Sequence, residues 1–120
     1  MVDIQRGIDL FNDADFFSAH DYFEDIWMNC EKRDRLFYQG LVQISVGSYH
    51  LICANYKGAL SQYNKGTEKL NKYVPNYLGV NLKKLLREVE LLRFLLKEKS
   101  LKAAQIELDK MPKIEYKKIA

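Results

Sequence analysis

His20 and Glu24 stand four residues apart, and Trp27 follows three later, in the run Ala19-His20-Asp21-Tyr22-Phe23-Glu24-Asp25-Ile26-Trp27. Spacings of three and four bring all three side chains to one side of a helix. A second polar set, Gln39, Gln43 and His50, lies within a stretch that carries no charge from Leu36 to Tyr56, and it too recurs at helical spacing. Two chemistries fit these residue types. An imidazole and a carboxylate one turn apart can serve as a base and its orienter. They can also share a metal ion that a His from a second helix completes.

A third role needs no chemistry. Polar groups on core-facing stripes must find partners, and Glu24 can orient His20 or meet the amides of Gln39 and Gln43 in a buried network that fixes helix packing. This structural role is the expected one. Only one clear carboxylate faces inward, and neither His has a second His three or four residues away. No metal or cofactor is therefore expected, and His20, Glu24 and His50 are weak metal candidates. Trp27 reads as core rather than as a ligand platform.

Other chemistry-bearing patterns are missing. Gly40 and Gly47 belong to a helical pattern and not to a phosphate-binding strand–helix turn. Ser45 and Ser48 lack the context of an activated nucleophile. Arginines and aromatics do not alternate as in a nucleic-acid module, so nucleic acid is an unlikely partner.

The elements that must position these residues are helices. The chain has 120 residues, 48% of them apolar, enough for one domain with a modest core. Two prolines and six glycines leave little room for the turns of an all-β fold. The pattern predicts a short helix over 4–12 and a second over about 16–29, capped by Asp15, with Phe16, Ala19, His20, Phe23 and Trp27 inward. Residues 30–34 read as a polar connection. A third, central helix spans about 35–54, apolar nearly all round. In it Gly40, Gly47 and Ala54 repeat every seven residues as a small-residue seam, and Gln43 and His50 flank that seam and face the same neighbour. A fourth helix over about 56–73 buries Tyr56, Ala59, Leu60, Tyr63, Thr67 and Leu70; its tyrosines read as core or interface. After a loop over 74–79, Asn81 caps a fifth helix to about Lys97, with the stripe Leu82, Leu85, Leu86, Val89, Leu92 and Leu96. A short helix over 101–109 and an extended or frayed segment from Pro112 complete the chain.

An offset of 40 relates Gly7 to Gly47, Ala14 to Ala54, Asp15 to Asn55, Phe16 to Tyr56, Ala19 to Ala59 and Phe23 to Tyr63. The Gly-to-Ala spacing is similar to that of tetratricopeptide repeats, whose period is about 34 residues. The expected fold is thus all-α: one bundle of five to six helices built from two tetratricopeptide-like hairpins, with residues 1–98 as the domain and 99–120 as a tail.

Charge and cysteines bound the setting. Net charge is +3, yet residues 1–31 carry eight acids against Arg6 alone, a net −7, which leaves +10 for residues 32–120. An acidic end and a basic end suit self-association, and most of the basic part reads as solvated surface. Cys30 and Cys53 have no nearby partner, as expected of reduced thiols in the cytoplasm. The acidic N-terminus has no signal-peptide pattern. The uncharged run is long enough to span a bilayer, but its glutamines, His50, Asn55 and glycines point to a buried helix instead.

The motifs together resemble one family. They are Gly7-x-x-Leu10-Phe11-Asn12, Asp15-Phe16-Phe17-x-Ala19-His20, Glu24-x-x-Trp27, Gln39-Gly40-Leu41-x-Gln43, Tyr49-His50, Asn55-x-x-Gly58-Ala59 and Tyr77-Leu78-Gly79-Val80. In this order they resemble the domain of unknown function 309 family of small all-helical prokaryotic proteins. Asp21 departs from the pattern, which commonly has Glu after the His. The resemblance implies a helical fold and no assigned activity, and it ends before residue 98. Two functions follow as expectations. One is a non-enzymatic interaction module that binds itself or another protein. The alternative is a small enzyme, a hydrolase for instance, that uses His20 and Glu24.

Overall fold

A computed structural model describes residues 3–98 and 110–118. The helix expected over 101–109 lies outside the described residues. Among the described residues five helices form the fold: α1 (Ile4–Asn12), α2 (Phe16–Asn29), α3 (Arg35–Ile52), α4 (Tyr56–Leu70) and α5 (Leu82–Lys97). A 3-10 turn, Lys32–Asp34, leads into α3. Consecutive helices pack side by side, so α3 lies between α2 and α4, and α4 between α3 and α5.

The helix ends follow from capping chemistry. Asp3, Asp15, Asn55 and Asn81 each accept a backbone N–H of the first turn they precede. Asp34 precedes α3 in the same way but makes no such bond. Its carboxylate accepts the hydroxyl of Tyr77 instead. That bond, followed by burial, pushes the Tyr77 hydroxyl up to about 12. The Tyr77 ring stacks with Tyr73 and Phe37 at 4.5 and 5.0 Å, so one aromatic cluster ties the loop after α4 to the start of α3.

The offset of 40 is a structural repeat in two hairpins. Ala14 and Ala54 both take left-handed backbone, at φ 62° and 60°. The bonds around them are equivalent: Asp15 N–H to Leu10 O and Ala14 N–H to Phe11 O in the first hairpin, Asn55 N–H to His50 O and Ala54 N–H to Leu51 O in the second. This is the six-to-one and five-to-two pattern that closes a helix, here directly followed by the N-cap of the next. Ala19 and Ala59 are fully buried in both copies. A Cβ on Gly7 would meet the Phe23 ring at 2.6 Å, and one on Gly47 would meet the Tyr63 ring at 2.7 Å.

The small-residue seam differs from expectation in one member. Gly40 and Gly47 face α4, where Leu70, Gly66 and Tyr63 press against them. Ala54 stands outside the seam, exposed in the turn, because α3 ends at Ile52. Nor does His50 share the neighbour of the seam: it opens on the α2 side, beside Phe17. Three residues after Gly47, His50 is turned about 60° around α3, enough to bring it to the cleft on the α2 side.

The loop after α4 holds a two-residue antiparallel pair, Asn76–Tyr77 with Val80–Asn81. Residues 110–118 run extended across it. Tyr116 bridges to Val80, the Lys117 N–H donates to Gly79 O at 2.8 Å, and the Asn81 N–H donates to Glu115 O at 2.9 Å. The same segment ties α1 to α5. The Asn12 side chain accepts the Ile114 N–H at 2.7 Å and donates to its carbonyl at 2.9 Å, while Glu88 accepts the Lys113 N–H at 2.9 Å. Met111 and Ile114 are buried in the core.

Among the described residues, no helix is long and apolar enough to cross a membrane. The uncharged run is the central helix, with Phe37, Leu41, Ile44 and Leu51 nearly inaccessible.

Candidate functional site

The two polar stripes meet along the antiparallel pair α2 and α3, but not as a sealed network. His20 retains 23% side-chain exposure and Glu24 45%. His20 Nδ1 lies 3.3 Å from Phe17 O and 3.2 Å from the Asp21 carboxylate, and Nε2 lies 3.7 Å from Glu24 Oε2. Among the described residues, these partners all sit on the helix that carries His20. The expected bonds from His20 and Glu24 to Gln43 or His50 are not formed. The cause is their place at the margin of α2: Phe16, Ala19 and Phe23 fill the contact with the core, and the imidazole is left at the rim.

His50 is likewise at the rim, with Nδ1 3.3 Å from the Asn55 amide. Gln39 is half-buried. Gln43 is half-buried too, and its Oε1 is sealed from solvent without a hydrogen-bond partner. Trp27 is half-buried against the core, and the Arg35 guanidinium lies 5.8 Å from its ring centroid. A cation held over an indole at this exposure is worth about 0.5–1 kcal/mol.

His20 and His50 do share one feature: a cleft of about 210 Å³ lined by Phe17, His20, Val46, Tyr49 and His50. Its walls are mostly apolar. Phe17 and Tyr49 meet edge to face at 5.6 Å, and Phe17 meets the His20 ring at 5.6 Å. Both large rings are open to solvent, Phe17 at 55% and Tyr49 at 40%. Reasoning from the polar stripes passes over these two. A signal was present: Phe16 and Phe17 are adjacent, so on a helix only one can enter the core and the other must face out.

The chemistry this arrangement supports is narrow. Among the described residues, no three His, Cys, Asp or Glu side chains are grouped to hold a metal, and His20, Glu24 and His50 do not form such a set. Glu24 is outside the cleft lining, and no hydroxyl or thiol nucleophile of Ser or Cys type lines it. Ser45 and Ser48, adjacent in sequence to lining residues of α3, turn into the core: Ser45 donates to Leu41 O at 2.8 Å, and Ser48 bonds the Tyr63 hydroxyl at 2.7 Å.

The shallow setting of Glu24 fixes the cost of removing it. An ion pair at this separation and exposure contributes under about 1 kcal/mol. Glu24→Ala should therefore leave the thermal midpoint nearly unchanged. A loss of several kcal/mol in denaturant melts would restore the buried-network account.

No curated protein matches the chain. Residues 4–62 match the model of a family described as Domain of unknown function (DUF309). The match runs from the start of α1 into α4, and it contains His20, Glu24, Trp27, Gln39, Gln43 and His50. Over residues 4–62, which include the helices that build both walls of the cleft, the chain matches the DUF309 family.

Proposed function

We propose that the protein is a non-enzymatic interaction module whose α2–α3 cleft takes an apolar anchor side chain from a partner protein. The observation that carries this is the pair of solvent-open aromatic rings, Phe17 and Tyr49, standing together over an apolar recess. Exposed single apolar residues are ordinary, but paired rings over a concavity match the anchor-and-pocket anatomy of interfaces. The Asp21 and Glu24 carboxylates, 3.2 and 3.7 Å from the His20 ring nitrogens, favour a partner with basic residues beside the anchor. The tetratricopeptide-like character of the two hairpins supports the same reading, since stacked helical hairpins present extended binding faces. The free thiols Cys30 and Cys53 fit a cytoplasmic setting.

One observation favours the alternative of a small hydrolytic enzyme: His20 has carboxylates near both ring nitrogens. The cleft offers it neither a nucleophile nor a donor set for developing negative charge, so the interaction reading stands first.

Selection of a random peptide library on the protein tests the reading. Peptides that carry an aromatic or large aliphatic anchor flanked by Lys or Arg should be enriched. Their affinity should fall at least about tenfold on Phe17→Glu or Tyr49→Glu, as loss of a central anchor contact does. Enrichment that is indifferent to both substitutions, or none at all, would overturn it.

A further inference from the structure

Of the other exposed large apolar side chains, Met28, Ile52, Val74 and Leu78 lie on separate elements, and two share one helix face. On α5, Leu91 is 62% exposed and Phe94 51%. They lie on the face opposite the buried stripe Leu85, Val89, Leu92 and Leu96. Lys83, Arg87 and Lys97 are exposed at spacings that put them on the same outer face. Glu90, its acidic neighbour, is engaged by Arg93 at 2.5 Å. The outer face of α5 is therefore an apolar pair in a basic frame. The cleft between α2 and α3 is an apolar recess in an acidic frame.

We propose that the occupant of the cleft is a second copy of this chain, which inserts Phe94 of its α5 against Phe17 and Tyr49. This rests on the reading of the cleft as an anchor site. Two features fit the two surfaces to each other. The cleft, at about 210 Å³, has room for one large side chain. The charges are opposite: Lys83, Arg87 and Lys97 would face the Asp21 and Glu24 carboxylates beside His20. The contact joins two different patches, so it is heterologous: one copy keeps a free α5 face and the other a free cleft unless the contacts close reciprocally. One helix face against one cleft is a small interface, and association should be concentration-dependent and weaken with salt.

Sedimentation and light scattering across concentration test this, with two variants checked for native helicity by circular dichroism. Phe94→Glu spoils only the α5 face, and Tyr49→Glu spoils only the cleft. Each alone should lose association at least about tenfold. An equimolar mixture should recover a one-to-one complex, because one variant keeps a cleft and the other keeps an α5 face. If either substitution perturbs folding, a charge exchange replaces it. Arg87→Glu with Lys97→Glu should weaken association, and adding Asp21→Lys with Glu24→Lys to the same chain should restore it. A wild-type chain that stays monomeric into the millimolar range overturns the proposal. So does a mixture that fails to pair, or a charge exchange without recovery. If the chain is monomeric but still selects anchor-bearing peptides through Phe17 and Tyr49, the occupant is another protein and the module reading survives. If neither occurs, both fall.

Discussion

Replacing Gly47 with Leu should destabilise the protein by about 3 kcal/mol or more, at the upper end of what overpacking costs. A Cβ alone would lie 2.7 and 2.9 Å from two carbons of the Tyr63 ring. That ring has nowhere to go: it is fully buried, and its hydroxyl is held by Ser48 Oγ at 2.7 Å. The helices must separate or the Tyr63–Ser48 bond must break with both hydroxyls left in the core. Helix propensity works the other way, since Gly costs roughly 1 kcal/mol against Ala in a helix interior, and it is too small to compensate. Gly47→Ala should already be destabilised, and Gly47→Leu more so. Thermal melts read the order directly. An unchanged melting temperature in Gly47→Leu would mean that α3 and α4 do not approach as closely as described.

Truncating both Met111 and Ile114 to Ala should cost about 2 kcal/mol each, at the low end for buried Met and Ile because the segment lies at the edge of the core. Both side chains are buried. The Lys113 and Ile114 N–H groups donate to the side chains of Glu88 and Asn12 and hold this segment in register, so the side chains cannot be replaced by sliding the chain. Against a typical total of 5–15 kcal/mol, a loss of about 4 is large. Chemical denaturation of the double variant checks it, and a loss under about 1 kcal/mol would show the segment to be dispensable.

These two sites mark how far the sequence could be read. Gly47 was legible because a glycine inside an uncharged helical run has few physical explanations other than a close neighbour, and the matched pair Gly7 and Phe23 repeats the device. The helices and caps were legible for the same reason: Asp15, Asn55 and Asn81 are residues whose side chains satisfy a first-turn N–H, and the stripe of α5 has an unbroken helical period. The 110–118 segment was not. Met111 and Ile114 are two apolar residues in a short Lys-rich stretch, and no periodicity shows that the Ile114 backbone bonds go to the Asn12 side chain, about a hundred residues away. Ala54 illustrates a local error. Its spacing from Gly47 fits a helix seam, whereas its left-handed backbone places it in the turn, as the equivalent Ala14 shows.

The site was half legible. His20 and His50 do line one cleft, as two inward stripes on neighbouring helices require. The nature of that cleft was hidden, because periodicity assigns a residue to a face but not to the rim of that face. His20 and Glu24 sit at the rim, where water satisfies what a network would otherwise have to. The aromatic pair that gives the cleft its character came from outward positions, which a search for buried polar groups ignores. The same outward positions on α5 supply the complementary surface.

Amide chemical-shift mapping with a peptide selected on the protein tests the central claim most directly. The account predicts that the largest shifts cluster at Phe17, His20, Val46, Tyr49 and His50 and disappear in Tyr49→Glu. Shifts centred on Asn76, Gly79 and Lys117, which line a larger groove of about 660 Å³, would contradict it.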